Sequence, residues 1–264
     1  MNDKIATLLR NHRMENISLL KMIEAYGPAI SCSVVERGAE WGMLLALPTK
    51  QSAFDLAKYP GTASVIFLSG SHAPILNELL DQVPQDKPLV FKVQHPLYKA
   101  LVESKFQVSS VRSFISYSCA EPLTAADDAE VREEAAVHDE LLLLWRQNGY
   151  SEQELRRMFA GGARSFTLYR GSIPVSTCIV FCNDDPVWEV GGVFMCEEHR
   201  GNGYAKKVVS RAINSLLRRN LIPRYQVVHD NAASIHVAES LGLKKAVVLE
   251  HLLYAPNHQA GHRQ

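Results

Sequence analysis

Between Ala205 and Leu217 the apolar residues Ala205, Val208, Val209, Ala212, Ile213, Leu216 and Leu217 follow one another at spacings of 3, 1, 3, 1, 3 and 1. That rhythm lays them in one stripe, so residues 202–219 are predicted to form a helix with one face against a sheet. Toward the N-terminus, a helix is expected over 3–25, carrying Ile5, Leu8, Leu9, Leu20 and Ile23 and closed by Gly27-Pro28. Strands are expected at 29–36, 42–47, 63–68 and 89–94, followed by a short helix 96–104 and a strand 106–118. Residues 119–128 read as a joint. Beyond it the pattern predicts helices 127–147 and 151–160, split by Asn148-Gly149, then strands 164–170, 173–182 and 186–195 with turn residues between them. A strand 224–229, a helix 231–241 and a strand 244–254 complete the chain. Two domains are therefore expected, an N-terminal α/β domain over 1–118 and a second domain over 119–264.

Residues 88–117 and 223–254 share an order of Pro, strand, His, helix, Lys, strand and Tyr, which either chance or an old duplication would produce. In the first half, Ser69-Gly70-Ser71-His72 stands where an anion loop would be needed. One glycine and no adjacent Arg give that half no cofactor.

Composition narrows the function classes. The 264 residues hold 28 acidic and 28 basic side chains, a net charge of zero, which disfavours a nucleic-acid binder. A hydrophobic share of 47% is ample for a core and places the chain among ordinary globular proteins. No apolar run is long enough to span a membrane, and Asp3, Lys4 and Arg10 interrupt any secretory signal. Five scattered cysteines without a CxxC pair argue against a zinc ribbon or redox motif, and no metal is expected; a reduced, cytoplasmic protein fits.

Charge is unevenly placed. From Glu121 to Gly162 there are ten acids and four bases, a net −6; from His199 to Arg224 there are seven Lys or Arg and no acid. The basic block contains Arg200-Gly201-Asn202-Gly203-Tyr204-Ala205, immediately before the striped helix. Helix N-termini favour acids, because their free N–H groups are positive, yet this one carries Lys206 and Lys207. A bound polyanion reverses that mismatch, and glycines let backbone N–H groups close on phosphate oxygens. The segment therefore reads as a diphosphate cradle. The dinucleotide pattern GxGxxG fails at position 206, and the Gly-Lys-Ser/Thr of a P-loop is absent.

The pattern present is Arg-x-x-Gly-x-Ala, after a strand containing Gly191-Gly192 and before an amphipathic helix. A strand ending in His229-Asp230 follows, and Asn231 opens a helix ending in Leu241-Gly242-Leu243. With these features, residues 120–254 resemble the GCN5-related N-acetyltransferase (GNAT) superfamily. The whole-chain layout is similar to its glycine N-acyltransferase-like (FR47-type) branch. The resemblance implies an α+β (mixed α/β) GNAT fold with a central mixed sheet, preceded by a degenerate GNAT-like half. It also implies acyl-CoA, expected as acetyl-CoA, as co-substrate. Backbone groups of Gly201, Asn202, Gly203, Tyr204 and Ala205 would hold the diphosphate, and Arg200 and Lys206 would add charge. The strand 188–195 would splay, with Val193, Phe194 and Met195 pairing with the pantetheine arm and a main-chain N–H near Phe194 serving a developing oxyanion. Asn231 would lie near the coenzyme, although a helix N-cap is an equally direct use of it.

Aminolysis of a thioester requires a neutral amine. At a pKa of ~10.4 only about one alkylamine in 2,500 is neutral at pH 7, a cost of roughly 4.6 kcal/mol, so a proton acceptor is needed. Glu189 lies where the resemblance often places a catalytic carboxylate, and His229 at the following strand end is the reserve. Counting from Asn231, the slot for the family's proton-donating tyrosine holds Ala238. The acids Asp127, Asp128, Glu130, Glu133, Glu134, Asp139 and Glu140 form either a wetted helix face or an attraction for a cationic acceptor. The expected activity is N-acylation of a small-molecule amine or amino acid in a ternary complex, by a monomer or homodimer without nucleic-acid or membrane partners. The alternative is a non-catalytic acyl-CoA-binding module.

Overall fold

The computed structural model describes residues 3–123 and 130–256. They divide into two compact units, one running to Phe114 and resuming at Val247, the other spanning Ile115–Ala246. The first unit contains α1 (Asp3–Asn11), α2 (Arg13–Tyr26), β1 (Ser31–Arg37), β2 (Glu40–Pro48), α3 (Ala53–Lys58), β3 (Ser64–Gly70), α4 (Ala73–Leu80), β4 (Leu89–Val93), α5 (Pro96–Lys105) and most of β5 (Val108–Ser118). The second contains β6 (Val131–Glu134), α6 (Asp139–Gln147), α7 (Glu152–Ala160), β7 (Arg164–Arg170), β8 (Ile173–Asp184), β9 (Val187–Met195), α8 (Tyr204–Arg218), β10 (Ile222–Val228) and α9 (Ala232–Ser240). β11 (Lys244–Tyr254) begins in the second unit and ends in the first.

Each unit is built on mixed pairing. In the first, β1, β2 and β3 run antiparallel, β3 and β4 parallel, and the end of β11 lies antiparallel to β4. In the second, β6 to β9 are successively antiparallel and β9 and β10 parallel. The stripe of α8 does what its spacing implied. Val208, Val209, Ala212, Ile213 and Leu216 are buried with Phe166, Val180, Val190 and Tyr225 of the strands beneath.

Three differences from the sequence pattern have physical causes. The helix expected over 3–25 breaks at His12, whose φ of −117° and ψ of 47° are not helical, into α1 and α2. The helix expected over 127–147 is only α6 at its end; residues 131–134 form β6, antiparallel to β7, and residues 124–129, with Asp127 and Asp128, lie outside the described residues. Edge strands accept charged side chains on their open side, which is why an acid-rich segment concealed a strand. α3 and α4 were not anticipated, yet α4 places Pro74 in its first turn and buries Ile75, Leu76, Leu79 and Leu80, a compact helical stripe.

A buried polar group marks the first unit. Lys92 and His251 are cross-strand partners on β4 and β11. Lys92 Nζ lies 2.6 Å from the Asp55 carboxylate of α3, and the Tyr59 hydroxyl lies 2.5 Å from His251 Nδ1. Burial, reinforced by the Lys92 and Arg112 charges, pushes His251 down to about 3.

Two predictions follow from this packing. Truncating Leu216 to Ala should cost about 2–5 kcal/mol in urea unfolding, whereas truncating Leu143, which is 60% exposed, should change stability by less than about 0.5 kcal/mol. The unfolded chain takes up a His251 proton near pH ~6.5 and the folded one resists it until about 3, so this contribution is full above 6.5 and is lost as the pH falls. Wild-type stability should drop by about 2 kcal/mol more between pH 6.5 and 5 than that of a His251→Gln variant.

Candidate functional site

The site grows from β9. Opposite β8, Gly191 is in register with Ile179 and Phe194 with Thr177, so β9 carries one residue too many and bulges. Gly192 adopts a left-handed φ of 57° in the bulge, and a Cβ there would stand 3.2 Å from Ile179. Side chains from α6 and the turn after it fix the distorted backbone: Trp145 Nε1 donates to the Gly192 carbonyl at 3.0 Å, and Asn148 Nδ2 to that of Val193 at 3.1 Å. On the other edge, parallel pairing with β10 covers only Val187–Val190 against Ile222–Tyr225. From Gly191 onward the strands have no shared register. Val193, Phe194 and Met195, all half-buried, lie along this opened edge.

Beyond β9 the chain turns through Glu197–His199 and enters α8. Gly203 is the helix N-cap in a left-handed conformation, φ 72°, and offers no side-chain cap, so the first N–H groups of α8 lack that partner. Gly201 is also left-handed, φ 83°, and the space where a Cβ would stand at either glycine is open to 4 Å. Arg170 stacks on the Tyr204 ring at 4.7 Å and donates to its hydroxyl at 3.3 Å, holding the first helical residue in place. The exposed glycine turn, the uncapped helix start and the absence of any acid in the first turn fit a diphosphate.

The other expected site residues fall less evenly. Arg200 is exposed and ion-paired with Glu197 at 3.0 Å, and Lys206 Nζ donates to the Ser240 carbonyl at 2.8 Å, although both flank the turn. Asn202 donates to the His199 carbonyl at 3.0 Å, bracing the turn. Ala205 opens the buried stripe. Asn231 caps α9, its Oδ1 accepting from the Ser234 N–H at 3.0 Å. His229 is exposed in the turn after β10. Ala238 is fully buried in the core, so the tyrosine slot faces packing.

Glu189 is 9% exposed, and its Oε2 lies 2.6 Å from Nη1 of the fully buried Arg224, which also donates to Asn183 and Ser116. Its other oxygen turns toward Gly191: Glu189 Oε1 and the Tyr150 hydroxyl stand 3.7 and 3.5 Å from where a Gly191 Cβ would be. Tyr150 had no signal in the sequence beyond its place after Asn148-Gly149. Burial, then the Glu189 charge, raise its pKa well above the ordinary tyrosine value, so at neutral pH it is a hydrogen-bond donor. Of the acids read as either a wetted face or an attraction for a cationic acceptor, those described nearest the turn are ion-paired. Glu130 is engaged by Arg170 at 3.1 Å and Lys207 at 3.2 Å, and Glu133 by Arg164 and Arg219.

Among the described residues no group of His, Cys, Asp and Glu is arranged to hold a metal, and no helix is long and apolar enough to cross a membrane.

Solved structures share this fold. The chain is similar in fold to an acetyltransferase from the GNAT family of Colwellia psychrerythraea, with a TM-score of 0.60 at 12% identity over 94% of this chain and 97% of that one. It is likewise similar to a GCN5-related N-acetyltransferase from Kribbella flavida, with a TM-score of 0.55 at 15% identity over 95% and 98% of the two chains. At this identity the likeness concerns the fold. Residues 118–243 match the model of the acetyltransferase (GNAT) family. No curated protein matches the sequence.

The Glu189–Arg224 pair supplies a test of how the site is held. Arg224→Ala leaves a buried carboxylate alone and should destabilise the protein by about 3–5 kcal/mol in denaturant unfolding. The double variant Glu189→Gln with Arg224→Met should recover most of that loss.

Proposed function

We propose that the second unit is an acyl-CoA-dependent N-acyltransferase, with acetyl-CoA as the donor and a small-molecule amine or amino acid as the acceptor. One observation carries the reading: an opened strand edge at Gly191–Met195 is followed directly by a glycine turn and an uncapped helix start at Gly201–Ala205. An extended arm ending in a diphosphate needs those two features in that order. The edge offers backbone hydrogen bonds to the arm, and the helix start offers N–H groups to the anion.

Bound acyl-CoA supplies an activated acyl carbon at its thioester. The amine nitrogen bonds to that carbon, the carbon–sulfur bond breaks, the amine proton passes to a base and the sulfur leaves as a thiolate or thiol. A backbone N–H near Phe194 would stabilise charge on the carbonyl oxygen, and Tyr150 would donate a hydrogen bond beside Gly191. Glu189 has its Oε2 engaged by Arg224, which favours its acting through a water. His229, exposed at the strand end, is the second candidate. With Ala238 in the core, the thiol must leave without that family acid; at a pKa of ~8.5 this costs only about 2 kcal/mol at pH 7. The whole-chain layout supports the FR47-type branch and five free cysteines support a cytoplasmic setting, both as parts of this proposal.

A second reading, a non-catalytic acyl-CoA-binding module, is favoured by the buried Ala238 and the ion-paired Glu189. The readings share one requirement and differ in another. Calorimetry should show acetyl-CoA binding that weakens about 100-fold, or by about 2.8 kcal/mol, in Gly203→Glu; unchanged affinity would sink both. Thiol release across a panel of amines should then appear for the wild type and fall about 10–100-fold in Tyr150→Phe with coenzyme affinity kept. Binding without thiol release for any amine selects the module.

A further inference from the structure

The first unit repeats the second. Two helices, three antiparallel strands, a helix, a parallel strand, a helix and a strand succeed one another as α1, α2, β1–β3, α4, β4, α5, β5 and again as α6, α7, β7–β9, α8, β10, α9, β11, with α3 inserted in the first. The parallel pairing is also repeated. β3 meets β4 over Ser64–Phe67, and β9 meets β10 over Val187–Val190, four residues in each case. In the first unit, too, the third strand runs on past the end of the shared register. At that place lies a cavity of about 350 Å³, within the range of small-molecule sites.

This cavity cannot take the ligand proposed for its counterpart. The Tyr98 hydroxyl accepts from the Gly70 N–H at 3.1 Å and donates to the Gly70 carbonyl at 3.0 Å, closing the strand edge that an extended arm would use. A Cβ on Gly70 would stand 2.7 Å from the Trp41 carbonyl oxygen, so the backbones are already in close contact. No Lys or Arg is among the described residues lining the cavity, which removes the charge a diphosphate needs. The polar floor is satisfied within itself: Asn16 donates to the Leu9 and His12 carbonyls and accepts from Ser69. What faces a ligand is an apolar wall of Leu8, Trp41 and Leu97 and a polar mouth of Asn11, His12, Glu15 and His95. His95 Nδ1 accepts from the Leu97 N–H, so its proton sits on Nε2 as a donor. Glu15, whose Oε2 lies 3.9 Å from His12 Nδ1, is the one carboxylate among the described lining residues.

We propose that this cavity binds a small organic amine with an apolar body, independently of acyl-CoA. The ammonium would pair with Glu15 and the apolar body would lie against Trp41 and Leu97. Aromatic faces also attract cations, which adds to the preference for an amine over an alcohol or a carboxylate.

Benzylamine, benzyl alcohol and benzoate are suitable probes, titrated into the full chain at pH 8 by calorimetry and by ligand-observed NMR. Benzylamine should bind saturably at millimolar concentration, at least tenfold more tightly than either uncharged or anionic analogue. Glu15→Gln, at an exposed position, should weaken it at least tenfold without moving the melting temperature, and Leu97→Trp should abolish it by filling the mouth. Gly203→Glu, which removes coenzyme binding under the proposed function, should leave it unchanged, so the two proposals fail separately. No saturable benzylamine binding, equal binding of benzoate, or full affinity in Glu15→Gln with Leu97→Trp would overturn the proposal.

Discussion

Two parallel strands that stop pairing after four residues impose the main constraint on this protein. A strand edge with free N–H and C=O groups is costly unless water, another chain or a ligand satisfies it. β9 manages the cost with a bulge, a left-handed Gly192, and two side chains, Trp145 and Asn148, that take the displaced carbonyls. Those contacts hold the strand apart from β10 as a formed feature of the fold. Under the proposed function the opened edge would take a ligand without further rearrangement, and the uncapped start of α8 follows that strand along the chain.

The two units meet the same constraint in different ways. In the second, the edge stays open and is followed by two left-handed glycines. In the first, Tyr98 bonds to both polar groups of Gly70, and the helix that follows has His72 as its N-cap and Pro74 in its first turn, where α8 of the second unit has Gly203 as its N-cap. One tyrosine hydroxyl therefore closes in the first unit the strand edge that stays open in the second. Beside it lies a short cavity whose lining includes Glu15 and Trp41 and, among the described residues, no Lys or Arg.

The sequence reveals the parts of this design that depend on spacing or on backbone conformation. The α8 stripe was legible because burial on one face enforces a 3.6-residue period, and the glycine turn because only glycine enters the left-handed region cheaply. β6 was hidden because three of its four residues are charged, and the pairing of Glu133 with Arg164 and Arg219 is tertiary. Tyr150 and Tyr98 were illegible for the same reason. Their roles come from which backbone their hydroxyls meet, and no local pattern encodes that. Arg224 is the extreme case, a cation whose partners Glu189, Asn183 and Ser116 are gathered from three strands.

That arginine also changes the reading of the site's chemistry. A carboxylate free in a cleft has both oxygens available to take a proton, whereas one held at 2.6 Å by a buried guanidinium has one oxygen engaged. Glu189 is therefore better suited to orienting a water or fixing the strand than to taking the amine's proton directly. The raised Tyr150 pKa points the same way, because a phenol beside a permanent carboxylate remains protonated and donates. Under the proposed function the fold would supply position and hydrogen bonds, and the amine's proton would leave through solvent, with His229 exposed in the turn after β10. An enzyme of that kind depends chiefly on holding its two substrates together. Its rate should follow the fraction of neutral amine more closely than the titration of any one side chain.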